Sequence, residues 1–352
     1  MSRLVIAVSG INAVDNPGPG VGVARGLKAD RALDCEVIGL AYDAMEPGIF
    51  LDWLIDGSYL MPYPTVGGEA VIERLLEIQA ERGLDVVIPN LDAELPVYIR
   101  YAGELEAHGI RVLLPTLTQF RLRSKDHLVA AAPGWGCSAP ATAVLNAPGQ
   151  LDGALAAIGY PAWIKGCLYE AYRCHTAAEA YHHADRLVAE WGWPLLVQEP
   201  VQGEHLNLVG LGTGDGGHLG MVALKKLNLT KAGKIWTGVT VLHPGMLAVA
   251  ERFIAATRWR GPFELECIVG KKPGGDGEAI HVIEINPRFP AWVNGATGVG
   301  VNLPARLVRH LLGLPQEPLA GYPAGKLFIR YTDDLIADLS AFQSLVTTGA
   351  AS

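Results

Sequence analysis

The sequence predicts a chain of mixed α/β and α+β class, with a doubly wound parallel sheet first and antiparallel sheets after it. Three observations carry this. Across residues 1–115 short apolar runs alternate with segments of helical spacing, the pattern of parallel strands joined by right-handed crossovers. After Ser124-Lys125-Asp126 the texture breaks into Pro- and Gly-marked turns. From Leu206 onward apolar runs follow one another as antiparallel strands do.

Taken in order, Leu4–Val8, Cys35–Leu40, Val86–Pro89 and Val112–Leu114 read as strands, and Gly22–Lys28, Glu69–Arg82 and Leu95–His108 as helices between them. A helix at Asp126–Ala132 leads to Leu151–Ile158, a strand Ala162–Lys165, a helix Ala177–Trp191 and a strand Leu195–Glu199. Strands at Leu206–Leu211, Leu219–Leu227 and Gly238–Leu242 precede a hairpin of Phe263–Val269 with Ala279–Ile285. A helix at Leu303–Leu312 and a strand near Leu327–Tyr331 close the pattern.

Composition narrows the function. The chain has 352 residues, half of them apolar and 18% charged, enough to bury sizeable cores and too apolar for a disordered or collagen-like protein. Its net charge of -8 argues against nucleic acid, whose phosphates call for clustered Lys and Arg. No apolar stretch approaches the ~20 residues that span a bilayer. Five cysteines without a CxxC pair argue against a disulfide framework or structural zinc. The expectation is a cytoplasmic protein, bound to neither membrane nor nucleic acid, with a homodimer left open.

The hairpin carries most of the chemistry. Side chains alternate faces along a strand, so Glu264 and Glu266 share one face while Glu284 and Asn286 share a face of the return strand. With the turn centred on Gly275, Glu266 falls opposite Glu284 and Glu264 opposite Asn286. Two carboxylates ~5 Å apart at an effective dielectric of about 20 repel by about 3 kcal/mol. A cation removes that repulsion, and oxygen-only ligands suit Mg²⁺ better than zinc. The other reading of the same spacing is a solvated polar face.

Glu284-Ile285-Asn286-Pro287-Arg288 resembles the E-[IM]-N-P-R signature of the ATP-grasp superfamily. Pro89-Asn90-Leu91-Asp92-Ala93-Glu94 and Arg111-Val112-Leu113-Leu114-Pro115 resemble the N-terminal domain of the carbamoyl-phosphate synthetase large-subunit group. Ser124-Lys125-Asp126, Tyr160-Pro161-Ala162-Trp163-Ile164-Lys165 and Gln198-Glu199-Pro200-Val201-Gln202-Gly203 are similar to that group's later motifs, in the same order. The resemblance spans roughly residues 1–315. It implies a Rossmann-like pre-ATP-grasp domain over 1–120, a small subdomain closing over the nucleotide at 121–203, and a large subdomain with a C-terminal extension at 204–352.

The resemblance also implies roles. Lys125 and Lys165 would place ammonium groups on the triphosphate of ATP. Gln198, Glu199 and Val201 would form the adenine hinge, the Glu199 carbonyl accepting and the Val201 N–H donating, while Pro200 has no N–H to offer. His205, or else Glu204, would meet the ribose. Glu266, Glu284 and Asn286 would hold Mg²⁺, with Mn²⁺ as a substitute. Arg288 would bind the transferring phosphoryl group and the oxyanion, and either Lys225 or Lys226 would reach phosphate or substrate, since alternation lets only one face the site. Asp92 and Glu94 are candidates for the acceptor's ammonium group, with Trp292 and Asn294 beside it.

One segment departs from the family. Where many relatives carry a Gly/Ser-rich loop over the phosphates, this chain reads Gly166-Cys167-Leu168-Tyr169-Glu170-Ala171-Tyr172-Arg173. The Gly-rich run at 16–26 imitates a dinucleotide fingerprint, but its glycines do not fall at GxGxxG. His175, His182 and His183 read as a polar helix surface. The expected activity is an ATP-dependent carboxylate–amine ligase acting through an acyl-phosphate and releasing ADP, its substrates a carboxylate and an amino acid or short peptide. The alternatives are a bicarbonate-activating carboxylase or carbamoyl-transfer enzyme, and a nucleotide-binding regulator.

Overall fold

A computed structural model describes residues 3–13, 15–166, 170–231, 233–272, 277–319 and 321–351. Three sheets organise them. The first holds β1 (Leu4–Ser9), β2 (Cys35–Ala41), β3 (Gly57–Leu60) and β4 (Val86–Ile88), all parallel, in the order β3-β2-β1-β4. Strands β1, β2 and β4 are largely apolar runs because helices cover both faces of a parallel sheet. Helix α1 (Pro19–Ala29) starts with Pro at its first position, and α2 (Gly68–Arg82) ends on the left-handed Gly83. Helix α3 (Leu95–Ala107) completes this part.

The predicted strand Val112–Leu114 does not form; only Arg111 bridges to β4, at Val86. The segment instead leaves the sheet to meet the large sheet. A Cβ on Gly261 would lie 2.6 Å from the Leu113 carbonyl, so glycine there makes the crossing possible.

Helices α4 (Leu117–Arg121) and α5 (Lys125–Ala131) lead to a four-stranded antiparallel sheet of β5 (Thr142–Leu145), β6 (Ala162–Gly166), β7 (Ala171–Cys174) and β8 (Leu195–Gln198), in the order β5-β8-β6-β7. Helices α6 (Leu151–Ile158) and α7 (Ala177–Trp191) pack on it and close a core of their own. Cys167, Leu168 and Tyr169, the centre of the segment that departs from the family, lie outside the described residues.

The third sheet is the largest. It comprises β9 (Glu204–Thr213), β10 (His218–Leu229), β11 (Ile235–Val241), β12 (Arg260–Lys271), β13 (Glu278–Asn286) and β14 (Leu327–Ile329), ordered β13-β12-β9-β10-β11-β14 and antiparallel throughout. Helix α8 (Pro244–Thr257) covers one face, with Phe253 ringed by Trp135, Trp259 and Phe263 at centroid distances of 5.0, 4.9 and 5.2 Å. The other face buries Val209, Leu211, Val222 and Leu224 in one core with Ile6, Val8, Val23 and Leu27 of the first sheet and α1.

Helices α9 (Val293–Gly298) and α10 (Leu303–Leu311) fill the space between those sheets. Close approach is what the Gly-rich run supplies. A Cβ on Gly20 would lie 2.1 Å from the Ser9 carbonyl, and one on Gly22 would lie 2.9 Å from Val293 of α9. Those glycines serve strand–helix and helix–helix packing.

The end of the chain ties the parts together. Arg330 donates to the carbonyls of Ile235 (3.1 Å), Pro17 (3.4 Å) and Ala291. Helix α11 (Leu339–Thr348) buries Leu345, and β15 (Ala350–Ala351) then pairs antiparallel with β3 at the edge of the first sheet. No described helix is long and apolar enough to cross a membrane.

Candidate active site

The hairpin brings the acidic residues together. Glu264 pairs with Asn286, Leu265 with Ile285 and Glu266 with Glu284. Beyond Glu266 the register slips by one residue, so Cys267 faces Val282 and Ile283 forms a bulge. A bulge leaves its extra residue out of the ladder. The Ile283 carbonyl instead accepts from Lys125 Nζ at 2.6 Å, and the same ammonium lies 3.4 Å from Glu284 Oε2.

The facing carboxylates therefore each carry an ammonium group. Lys226 Nζ stands 2.5 Å from Glu266 Oε2. Burial alone would raise the Glu266 carboxyl, but the Lys226 charge and hydrogen bond pull it below the ordinary carboxylate range. Lys226 also feels the fields of Glu264 and Glu284, which hold it charged against burial. Register separates the two lysines. Lys226 turns to Glu266, whereas Lys225 points away and pairs with Glu204 at 2.5 Å.

Glu264 stands opposite Asn286 but is not an open ligand. It is buried, with Oε1 accepting from Asn207 Nδ2 (2.5 Å) and Trp292 Nε1 (2.6 Å), and Oε2 from Asn286 Nδ2 (3.0 Å). Burial and the neighbouring Glu266 raise its carboxyl. Sequence reasoning missed Glu264 and Asn207 as members of the site, although the face alternation already placed Glu264 beside Asn286. Trp292 is corrected: at 2% exposure it anchors Glu264 and offers no surface to a substrate. Asn294 is partly exposed on α9, the helix that packs on α1.

Strand β6 adds the next cation. Lys165 Nζ donates to Gln198 Oε1 at 2.7 Å and lies 5.6 Å from the Trp163 ring centre; Gln198 Nε2 donates to Thr142 at 2.8 Å. Gln198 therefore positions a lysine and has both ends of its buried amide engaged. Burial, and then the positive charge of Lys125, lower the Lys165 ammonium to about 8. After β8 the Glu199 N–H and carboxylate close onto the Ala141 carbonyl and N–H, at 3.0 and 2.8 Å. Among the described residues the Val201 N–H has no hydrogen-bond acceptor. His205 is exposed and faces Ile268, on the Glu266 side of the sheet.

A pH dependence follows. The resemblance seen in the sequence implies that Lys165 meets a phosphate, which would prefer it charged, and that charge is lost as pH rises through about 8. ATP affinity measured by calorimetry should therefore be flat below that pH and fall above it. Lys165→Arg, whose guanidinium stays charged, should remove the slope; an identical slope in both proteins would exclude Lys165 as its source.

Arg288 lies just past the hairpin. Its Nε donates to Asp92 Oδ2 at 2.8 Å and its Nη1 to the Phe289 carbonyl at 3.2 Å, while Asp92 Oδ1 accepts from Arg123 Nη1 at 2.8 Å. Glu94 is corrected as an ammonium ligand. It is fully buried, accepting the N–H groups of Asn90 (2.8 Å) and Leu91 (2.9 Å) and the hydroxyls of Ser9 and Tyr42, so it holds the 90–94 turn instead.

The residues fit Mg²⁺ by the chemistry of their donors. Glu266, Glu284 and Asn286 present oxygen, and the buried Asn207 Oδ1 beside Glu266 has no hydrogen-bond partner among the described residues. No three His, Cys, Asp or Glu side chains form a ready-made cage among those residues. Mg²⁺ on a polyphosphate uses one or two carboxylates and takes its other ligands from phosphate and water.

No family model matches the sequence, and no curated protein matches it. Solved structures do. The chain is similar to the biotin carboxylase domain of Hydrogenobacter thermophilus 2-oxoglutarate carboxylase, in complex with MgADP, ADP and bicarbonate: TM-score 0.66 and 16% identity, over 90% of this chain and 72% of that one. It is similar to N5-carboxyaminoimidazole ribonucleotide synthetase from Thermus thermophilus, with TM-score 0.64 and 18% identity over 92% and 81%. An L-amino acid ligase from Bacillus licheniformis gives TM-score 0.63 and 16% identity over 89% and 75%. The architecture is thus the ATP-grasp fold, and at such identities the likeness extends to fold alone. None of these three is a carbamoyl-phosphate synthetase, the group whose N-terminal motifs the sequence resembles.

Proposed function

We propose that the protein is an ATP-dependent ligase that activates a carboxylate as an acyl-phosphate and joins it to an amine, releasing ADP and phosphate. The observation that carries this reading is the pair Glu266 and Glu284, facing each other across β12 and β13 with Lys125 and Lys226 on their carboxylates. Two carboxylates and cations at one spot match a metal-bound polyphosphate better than a solvated surface. Bound Mg²⁺ would draw charge from the phosphates, held by Glu266, Glu284 and Asn286. Lys125 and Lys165 neutralise the triphosphate, Val201 offers its N–H to the adenine edge, and Arg288 meets the charge developing on the transferred phosphoryl group and the oxyanion. The acceptor is an amino acid or short peptide, held near Asn294 and the loops of the first sheet.

Binding of ATP should require a divalent ion, because without one the nucleotide's charge meets Glu266 and Glu284 directly. Titration calorimetry with excess Mg²⁺, and with EDTA in its place, measures this. Equal affinity in both conditions would remove the metal-bridged reading.

A second reading has bicarbonate as the activated acid. It is favoured by the similar fold of the carboxylase domain in complex with MgADP, ADP and bicarbonate. ATP consumption driven by bicarbonate without an organic carboxylate distinguishes it.

A further inference from the structure

The contact between Asp92 and Arg288 joins two segments 196 residues apart. Asp92 belongs to the turn after β4, and Arg288 follows the hairpin that carries Glu284 and Asn286. We infer that Asp92 is a positioning residue, which sets the plane of the Arg288 guanidinium from the first sheet. This rests on the proposed ligase reading, in which Arg288 is the group that meets the phosphoryl and the oxyanion.

Three observations support it. First, the guanidinium is committed on two sides. Nε is bound to Asp92 and Nη1 to the Phe289 carbonyl, and Nη2 has no acceptor among the described residues. A planar fork with two nitrogens fixed can present its third in one direction only. Second, Asp92 is itself held on both oxygens, by Arg288 and by Arg123, and the Arg123 guanidinium lies 4.8 Å from the Phe120 ring centre. Third, the turn that offers Asp92 is over-determined. Glu94 takes four hydrogen bonds within it and from β1 and Tyr42, and the Asn90 amide donates to the carbonyls of Ser9 (3.1 Å) and Ile88 (2.8 Å). A turn anchored so fully has little freedom to follow a mobile arginine; it imposes a position on it. The same contact occupies the carboxylate expected to bind the acceptor's ammonium group, and Asp92 as an ammonium ligand gives way to Asp92 as an arginine support.

The test combines a readout independent of turnover with a kinetic one. In the protein labelled with ¹⁵N-arginine, the Nε–H signal of Arg288, identified by its loss in Arg288→Lys, should exchange slowly with solvent. In Asp92→Asn it should exchange as fast as that of an exposed arginine. An Arg288 signal that exchanges fast in the unmodified protein would overturn the inference.

In ADP release with MgATP and pairs of L-amino acids as carboxylate and amine, Asp92→Asn should lower kcat about 30- to 100-fold, the scale of a misplaced catalytic group. The MgATP dissociation constant should stay within about twofold, because Lys125, Lys165 and the carboxylates remain in place. Asp92→Glu should recover part of the loss, and Arg123→Ala should give a smaller decrease. A kcat unchanged in Asp92→Asn, or a fall in kcat matched by the same weakening of ATP binding, would defeat the positioning role. If Asp92→Asn does not fold, the Arg288 exchange in Arg123→Ala decides the same question, since releasing Asp92 from Arg123 should loosen its hold. Absence of any turnover in the unmodified protein would count against the ligase reading alone, with the Nε measurement still deciding the position of Arg288.

Discussion

Replacing Glu284 by alanine should abolish turnover while leaving the protein folded. The expected loss is on the order of a thousandfold or more in kcat, since in the proposed ligase the side chain would be removed from the metal site and from the cation array at once. Stability should hardly change. The Glu284 side chain is 49% exposed and its contact is with Lys125 at 3.4 Å, an arrangement that contributes at most about 1 kcal/mol at an exposed site. Its neighbours Ile285 and Val282 carry the core packing of the strand. Release of ADP by Glu284→Ala under saturating MgATP, together with its thermal unfolding midpoint, measures both halves. Turnover near the unmodified level would remove Glu284 from the chemistry. An unfolded variant would mean that Glu284 supports the hairpin.

That contrast depends on distinguishing two glutamates that look alike in the sequence. Glu264 and Glu284 both sit at alternating positions of a hairpin, and face alternation with the turn near 275 suffices to put Glu266 opposite Glu284. What alternation cannot give is which carboxylate meets solvent. Glu264 is buried because Asn207 and Trp292 reach it from other segments of the chain, 57 and 28 residues away. Glu94 is illegible for the same reason. Its run Pro89–Glu94 reads as an open acidic loop until Ser9, the last residue of β1, and Tyr42, just past β2, close on it.

Elements are legible where burial leaves a local signature. The continuous apolar runs of β1 and β2 and the paired strands of the hairpin are such cases. Helix α8, absent from the predicted elements, has a signature too: Pro244 at its start, and Met246, Val249, Ala250, Phe253 and Ile254 on one face. By contrast β15 is two alanines whose pairing with β3 is decided about 290 residues away, and no local pattern announces it. The bulge at Ile283 is equally silent in the sequence, and it determines where Lys125 finds its carbonyl.

The nucleotide product should be ADP, with no AMP formed. An acyl-phosphate arises when the carboxylate attacks the γ-phosphorus, so the positive charge must gather at the end of the triphosphate that departs with the acyl group. Lys125, Lys226 and Arg288 converge on the hairpin face, with Lys165 close enough to Lys125 for that charge to lower its pKa. The adenine edge would sit some distance off, at the turn after β8. An adenylate route that hands its acyl group to a thiol finds little support. Of the four described cysteines Cys35, Cys174 and Cys267 are buried, and burial pushes Cys137 up to about 12, far from a usable thiolate. Turnover with carboxylate and amine, followed by nucleotide chromatography, gives the product directly. With ¹⁸O in the carboxylate, label should appear in inorganic phosphate, and hydroxylamine should trap the activated acyl group when the amine is withheld. AMP and pyrophosphate, or label in AMP, would overturn attack at the γ-phosphorus and with it the roles proposed for Lys125 and Arg288, while the fold would stand unchanged.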